Sequence, residues 1–210
     1  MSLWQRHLLP YLIDHVMRSR RLDALRQQIA GKAHGRVLEI GIGSGLNLPF
    51  YGRKVEHLIG IDPSPELLKK AADRAQWLGF PVRFLLGSAE QLPLPDHSID
   101  TVISSWTLCS IPRVEVALAE IARVLAPGGQ FWFVEHGLSP DPRIAARQHA
   151  WTAVWRRLVG GCHLNRPIEA LLRQAGLELD ELQTGYLLPG PRPFTYHYVG
   201  CARHAAEPQS

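Results

Sequence analysis

Five short apolar runs alternate with segments of helical periodicity between residues 36 and 135 of this chain. The alternation predicts parallel strands joined by crossover helices, the arrangement of an α/β domain. The predicted strands span residues 36–40, 57–61, 82–86, 99–104 and 130–135. Because the loops that follow parallel strands gather at one edge of the sheet, we expect a ligand-binding site among the residues that follow each run.

Local signals set the predicted helix boundaries. Ser64 is placed to cap a helix that Pro65 begins. Pro112 is predicted to open the next helix, and the segment 127–129, Pro-Gly-Gly, to end it sharply. Further along, the pattern predicts helices at 142–159 and 167–175 and two more strands at 177–184 and 195–202. A proline-rich connection at 188–193 separates these two strands.

The composition suits one folded domain. The 210 residues are 46% apolar, which is enough for a core without metal or disulfides. We predict a helical cap at 1–34, the main domain at 35–204 and a loose tail at 205–210. The sequence predicts neither a signal peptide nor a membrane-spanning helix. Three cysteines at long spacing favour a reducing compartment, so we expect the protein in the cytoplasm.

The first thirty residues allow two interpretations. Four apolar residues share a predicted helix with four arginines; they are Tyr11, Leu12, Val16 and Met17, with Arg18, Arg20, Arg21 and Arg26. The favoured interpretation is a surface helix whose apolar stripe packs on the domain. The alternative is a weak contact with a membrane surface.

The segment 37–45 is a buried strand that runs into three glycines, Gly41, Gly43 and Gly45. Glycines at this junction let the backbone approach a nucleotide-like ligand. A dinucleotide site uses the spacing G-x-G-x-x-G, whereas this chain reads G-x-G-x-G. The position that the third glycine takes in the dinucleotide pattern is occupied here by Leu46. The spacing therefore argues against a dinucleotide.

Two carboxylates are predicted to face the same crevice. Glu39 precedes the first glycine by two residues, and Asp62 ends the next strand. A carboxylate beside the loop would repel a pyrophosphate and attract a cation, while Asp62 is placed to accept hydrogen bonds from ribose hydroxyls. S-adenosyl-L-methionine has a ribose, an ammonium and a sulfonium, and it has no phosphate.

Four motifs in order resemble the class I S-adenosylmethionine-dependent methyltransferases. They are the glycine loop with Glu39, Asp62, the segment 87–94 and the segment 123–129. The resemblance implies a single-domain Rossmann-like fold: a mostly parallel seven-stranded sheet with its last strand antiparallel and helices on both faces. It also implies S-adenosyl-L-methionine as cofactor and S-adenosyl-L-homocysteine as product. The residues expected at the cofactor are Glu39, Gly41, Gly43, Gly45, Asn47, Asp62, Pro63, Ser88, Ala89, Glu90 and Ser105. The acid Glu39 would hold the methionine part, Asp62 the ribose, and 88–90 would border the adenine.

Three later segments resemble one branch of that superfamily, the one that includes the microsomal alkyl-thiol methyltransferases. They are Leu-Cys-Ser at 108–110, Glu-His at 135–136 and the run around 161–166. The resemblance implies a small-molecule acceptor, most plausibly a thiol. His136 is the first candidate for a base or thiolate-orienting group, His163 the second, and Trp106 is a candidate for ring contact with the sulfonium. Each of these side chains also has an ordinary structural interpretation, and Arg166 could pin a loop to an acid or bind an anionic substrate.

Other functions stay open at this point. The amphipathic N-terminus suits an N- or C-methyltransferase that acts on a lipid amine or quinone, and a non-catalytic cofactor sensor is a further alternative. A nucleic-acid methyltransferase is disfavoured, because residues 104–107 read Ser-Ser-Trp-Thr and no nucleic-acid module is attached. The cysteines lack the close spacing of a metal site, so we expect no metal, and a metalloid-methylating role is the weakest alternative.

Overall fold

A computed structural model describes residues 14–205. Within residues 20–204, seven strands and five helices follow one another. The strands are β1 (Gly35–Ile40), β2 (Val55–Asp62), β3 (Val82–Leu86), β4 (Ile99–Ser105), β5 (Leu125–His136), β6 (Leu177–Tyr186) and β7 (Tyr196–His204). The helices are α1 (Arg20–Ala30), α2 (Pro65–Ala75), α3 (Val114–Val124), α4 (Pro142–Leu158) and α5 (Ile168–Gln174), with short 3-10 turns at Leu48–Phe50 and Arg192–Phe194.

The strands form one sheet in the order β3-β2-β1-β4-β5-β7-β6. The five strands β1 to β5 are parallel, and β7 runs antiparallel to both of its neighbours. The predicted sheet, with its last strand antiparallel, is therefore confirmed. Ile40 pairs with Ile61 on one side and Ser104 on the other, so the carboxyl ends of β1, β2 and β4 share one edge.

Helices cover both faces of the sheet. On one face α1 and α2 pack over a core that includes Ile29, Val37 and Trp132. On the other face α3 and α5 pack over a larger core that includes Leu38, Leu118 and Phe133. Alternate residues of β1 and β5 enter opposite cores, as the two-residue period of a strand requires.

The starts of α2 and α4 follow the capping rules. Ser64 precedes α2, and its side chain accepts a hydrogen bond from the Leu67 amide at 3.3 Å. Asp141 caps α4 in the same way, accepting from the Arg143 amide at 2.8 Å. Both helices have proline at their first position, where no amide is needed.

The boundaries of α3 differ from the prediction. The helix begins at Val114, two residues after Pro112, and it ends at Val124. The segment 127–129 does not terminate it but lies inside β5, where the pairing with β4 jumps from Leu125 to Gln130. Proline and glycine are tolerated there because the ladder is already interrupted.

Helix α1 packs on the domain. Ser19 caps α1, and Leu22, Ile29 and Ala30 are buried beneath it. Arg26, predicted as part of a basic surface, is itself buried with 2% exposure. Val16 is exposed, and Tyr11 and Leu12 lie outside the described residues.

No helix within residues 14–205 combines the length and the apolar character needed to cross a bilayer.

Candidate active site

The glycine loop makes a tight turn between β1 and the first 3-10 turn. Gly41 has φ +63°, and a Cβ there would lie 2.3 to 2.9 Å from side-chain atoms of Thr107. Gly45 has φ +79°, and its Cβ would lie 2.5 Å from Leu48 and 3.2 Å from the Ala71 backbone. Any side chain at these two positions would force the loop and its neighbours apart, which is why the strand must run into glycine.

Glu39 lies under the loop with only 2% of its surface exposed. Its carboxylate accepts hydrogen bonds from Asn47 Nδ2 and from the Tyr51 hydroxyl, both at 2.7 Å. Asn47 Nδ2 also donates to Ser105 Oγ at 2.5 Å. The structure thus brings together Glu39, Asn47 and Ser105, which the sequence placed at the cofactor, and adds Tyr51, which sequence reasoning missed.

Burial raises the pKa of Glu39 to about 7, although the hydrogen bonds from Tyr51 and Asn47 oppose the shift. The carboxylate is therefore poised to ionise when a cation arrives. Asn47 Oδ1 is also buried and has no hydrogen-bond partner within residues 14–205. A buried acceptor without a donor is costly, and an ammonium group would satisfy it. This chemistry fits the methionine end of S-adenosyl-L-methionine and disfavours a pyrophosphate.

Asp62 ends β2 and is 7% exposed. Its two carboxylate oxygens accept from the amides of Gly43 and Ser64, each at 2.9 Å. Burial raises its pKa more than these hydrogen bonds lower it. Asp62 therefore holds the glycine loop against β2 and keeps free lone pairs on both oxygens, as a ribose-binding acid needs. The exposed Pro63 follows it.

The segment 88–90 lies at the end of β3. Ala89 is buried at 6% exposure and Ser88 is exposed. Glu90 accepts from the backbone amide of Arg113 at 2.7 Å and from its guanidinium at 3.1 Å, and these contacts lower the pKa of Glu90. The Glu90 side chain thus anchors the start of α3, and the predicted contact of 88–90 with adenine stays a prediction.

Asp14, the first residue that the structure describes, contacts the glycine loop. Asp14, 6% exposed, accepts a hydrogen bond from the Ser44 hydroxyl and pairs with Arg18 at 2.6 Å. Burial raises the pKa of Asp14, but its contacts with Ser44, Arg18 and Lys70 outweigh burial and lower it. Arg74 of α2 donates to the Ser44 carbonyl at 2.5 Å. Asp14 and Arg74 therefore hold the loop from outside.

Trp106 already faces a cation of this chain. The guanidinium of Arg26 lies 5.0 Å from the centroid of the Trp106 ring and donates to the Met17 carbonyl at 2.9 Å. Arg26 also interacts electrostatically with Glu39. Trp106 itself has φ +50°, an unusual value for a bulky residue, and its ring meets His197 edge to face at 6.3 Å. Arg26 thus occupies a position over Trp106 of the kind predicted for the sulfonium.

His136 ends β5 and is 5% exposed. Its Nδ1 lies 3.7 Å from Cys162 Sγ, and its Nε2 has no hydrogen-bond partner within residues 14–205. The ring stacks on His197, with centroids 5.3 Å apart and an interplanar angle of 22°. Burial and His136 lower the pKa of His197 to about 4, so His197 stays neutral beside it. Sequence reasoning missed His197 because only the antiparallel register of β5 and β7 aligns the two residues.

Glu135 organises the loop that follows β4. It is fully buried and accepts from the Ser104 hydroxyl at 2.6 Å. Three consecutive backbone amides, those of Thr107, Leu108 and Cys109, also donate to its carboxylate, at 3.0 to 3.2 Å. Burial raises the pKa of Glu135 in spite of these contacts. The two residues of the predicted Glu-His motif therefore have different roles. Glu135 anchors the loop, and the ring of His136 faces Cys162.

Arg166 and His163 tie the late loop to the same segment. The Arg166 guanidinium donates to the carbonyls of Leu108 and Ile111, so it pins the late loop through backbone carbonyls. His163 contacts the Cys109 carbonyl through Nδ1, at 3.0 Å, and through its amide, at 2.8 Å. Burial and Arg166 lower the pKa of His163. Both side chains therefore hold loops together.

The buried thiols of Cys109 and Cys162 interact with each other. Contacts with Cys109 and His136 lower the pKa of Cys162. Among residues 14–205, no three His, Cys, Asp or Glu side chains are grouped so that they could hold a metal ion.

The comparisons with known proteins agree with this geometry. A family model described as a methyltransferase domain matches residues 38–133. A phosphatidylethanolamine N-methyltransferase from Cereibacter sphaeroides is 35% identical over 70% of this chain and 72% of its own length. The human thiol S-methyltransferase TMT1A is 33% identical over 87% of this chain and 78% of its own.

Among solved structures, the YcgJ protein from Bacillus subtilis superimposes with a TM-score of 0.68 at 21% identity, covering 89% of this chain and 99% of its own. That likeness concerns the fold, while the two curated relatives share sequence over most of the chain. Together with the family model and the buried acid beneath the glycine loop, they show that the chain belongs to the class I S-adenosylmethionine-dependent methyltransferases.

Proposed function

We propose that the enzyme methylates the sulfur of a small thiol. The single observation that carries this proposal is the buried imidazole of His136. Its Nε2 has no partner within residues 14–205, and its Nδ1 faces the side-chain thiol of Cys162. The similarity to TMT1A over most of both chains supports it. A thiol needs only modest help to lose its proton, since its pKa is about 8.5.

Bound S-adenosyl-L-methionine would supply an activated methyl group. Glu39 and the side-chain Oδ1 of Asn47 would hold its ammonium, and Asp62 would hold its ribose hydroxyls. The segment 88–90 would border the adenine. The chain then contributes mainly alignment, which is worth up to about 7–11 kcal/mol for a well-oriented displacement. Asp14 and Arg74, which hold the loop from outside, would help to exclude water.

On the acceptor side, we assign His136 the role of taking the thiol proton at Nε2. The stacked neutral ring of His197 fixes its orientation. His163 is the weaker candidate, since its Nδ1 already contacts the Cys109 carbonyl. The three free cysteines are compatible with a reducing cytoplasm, where we propose that the enzyme works.

Methyl transfer to a lipid amine is the second candidate, favoured by the similarity to the phosphatidylethanolamine N-methyltransferase. The two candidates predict different products from the same labelled cofactor. A thiol acceptor gives a methyl thioether, whereas phosphatidylethanolamine gives a methylated amine.

The test is to incubate the enzyme with methyl-labelled cofactor and either a panel of alkyl and aryl thiols or phosphatidylethanolamine in mixed micelles. We expect the thioether, and a fall in kcat of about 10²-fold or more in His136→Gln. Raising the pH towards 9 should restore part of that loss, because the thiol then ionises without a base. His163→Gln is the matched control and should keep most of the activity. A methylated amine without thioether would overturn the thiol assignment.

A further inference from the structure

Helix α4 has an unusual exposure pattern for a helix on a folded domain. Of its 17 residues, only Ile144, Gln148 and Thr152 are buried. Three large apolar side chains instead face outward: Trp151 is 53% exposed, Val154 46% and Leu158 61%. Their spacing of three and four residues places them along one side of the helix.

The same helix is strongly basic. It has four arginines, all exposed, and no acidic residue; they are Arg143, Arg147, Arg156 and Arg157. Within residues 14–205 none of them forms an ion pair. The capping Asp141 is the one acid close to the helix in sequence, and its carboxylate is used by backbone amides. Arg143 and Arg147 lie one turn apart, on the side that Trp151, Val154 and Leu158 occupy.

We call the side of α4 with Arg143, Arg147, Trp151, Val154 and Leu158 its outer face. Contacts with the second 3-10 turn hold this part of the helix in place. Phe194 from the second 3-10 turn stacks on Trp155 at 4.6 Å and meets Trp151 edge-on at 6.3 Å. The turn also brings Arg192, exposed and 5.2 Å from the Tyr186 ring, to the same part of the surface. Trp151 and the arginines are therefore presented by a packed helix.

The combination identifies the partner by its chemistry. Unpaired arginines attract an anionic surface, but arginines alone would also suit a nucleic acid. Exposed Trp, Val and Leu on the same side suit an apolar layer beneath the charges, which a nucleic acid does not offer. A headgroup region over acyl chains offers both, since tryptophan lies at that boundary and arginine extends to the phosphates.

We propose that the outer face of α4 docks on an anionic phospholipid surface. The segment that follows α4, residues 160–166, contains Cys162 and Arg166 and forms one wall of the site around His136. Docking on α4 therefore brings this wall close to the lipid. The proposal does not depend on whether the acceptor is a thiol or an amine.

The experiment is flotation of the full chain with vesicles of phosphatidylcholine alone or mixed with phosphatidylglycerol. We expect binding to the mixed vesicles only, weakening as salt is raised. Each arginine near such a surface contributes about 1 kcal/mol, so Arg143→Gln with Arg147→Gln should weaken binding about thirtyfold. Trp151→Ser with Leu158→Ser should also release the protein, because it removes the apolar contact.

Two matched controls keep the test specific. Trp77→Ser removes a tryptophan that is 89% exposed outside α4. Arg20→Gln with Arg21→Gln removes the same charge from exposed positions of α1. Both controls should bind vesicles like the wild type. Circular dichroism of every variant checks that the exposed substitutions leave the fold intact.

Four results would overturn the proposal. The first is equal binding to neutral and mixed vesicles, and the second is wild-type binding by both α4 variants. The third is loss of binding in the α1 control instead. The fourth is a protein that does not bind vesicles but forms a dimer in solution that Trp151→Ser dissociates. The third result would assign the contact to the N-terminal helix, and the fourth to a second copy of this chain.

Discussion

The Tyr51 hydroxyl donates to Glu39 at 2.7 Å beneath the glycine loop. Both side chains are buried, and the carboxylate has its second contact with Asn47. The acid that should meet the cofactor's ammonium is held by two neutral donors, and the nearby Arg26 offsets only part of the cost of burying its charge. This relationship makes the cofactor site sensitive to small changes around Glu39.

Tyr51→Phe should weaken cofactor binding about tenfold. The substitution keeps the ring but removes a hydrogen bond to a charged group, which is worth about 1.5–3 kcal/mol. Isothermal titration with S-adenosyl-L-homocysteine measures the loss. Tyr198→Phe is the control, because it removes another tyrosine hydrogen bond, to the Leu138 carbonyl, away from Glu39. Equal weakening in both variants would mean that Tyr51 acts only through general stability.

Cofactor affinity should rise as the pH passes through about 7. The pKa of Glu39 is raised to about 7 in the fold, and the bound ammonium favours the ionised carboxylate, so binding near pH 6.5 should release a proton. Glu39→Gln should bind more weakly and lose this pH dependence. Calorimetry in buffers of different ionisation enthalpy counts the proton. No proton release between pH 6 and 7 would contradict the raised pKa.

The same shift has a consequence for the stability of the free protein. A folded pKa above the unfolded value means that the fold prefers the protonated acid, so Glu39 contributes most at low pH, and its contribution is lost as pH rises from about 4.5 through about 7. Glu39→Gln should therefore be more stable than the wild type at pH 8 without cofactor. Thermal melts at pH 5 and pH 8 test this, and a variant that melts lower at both values would refute it.

Arg26→Met should change the preference between substrate and product. The buried guanidinium over Trp106 would repel a sulfonium bound beside that ring, whereas S-adenosyl-L-homocysteine has no such charge. Removing it should improve affinity for the donor relative to the product several-fold. The ratio of the two dissociation constants is the readout, because a general loss of stability affects both alike. An unchanged ratio would place the sulfonium away from Arg26.

Glu135→Gln should lower the unfolding free energy by about 2–3 kcal/mol and Tm by about 5–10 °C. The amide nitrogen would face backbone amides and the Ser104 hydroxyl, so at least one buried donor loses its acceptor. Differential scanning calorimetry measures the shift. Glu178→Gln changes an exposed acid of β6 and should leave Tm unaltered. A Tm loss below about 1 °C would show that Glu135 does not anchor the loop.

Much of the fold follows from local pattern. The strand at 82–86 has the predicted bounds, and Ser64 caps its helix as expected, because strand period and capping depend on neighbouring residues only. Glu39, Asn47 and Ser105 were predictable as one cluster, since parallel strands bring their carboxyl ends together.

The rest depends on tertiary contacts that no local pattern encodes. His197 reaches His136 through an antiparallel pairing between residues sixty-one positions apart in sequence. Arg26 belongs to a group of arginines typical of a surface, but it is buried. Its guanidinium packs over the Trp106 ring and donates a hydrogen bond to the Met17 carbonyl. The segment 127–129 has the composition of a helix stop, yet the interrupted ladder between β4 and β5 accommodates it within a strand.

Calorimetric titration of the chain with S-adenosyl-L-methionine, S-adenosyl-L-homocysteine and NADH tests the central claim most directly. The buried acid beneath the glycine loop should admit both sulfur nucleosides and give no heat with the dinucleotide, and Glu39→Gln should weaken binding of both. Binding of NADH with no response to either sulfur compound would contradict the account.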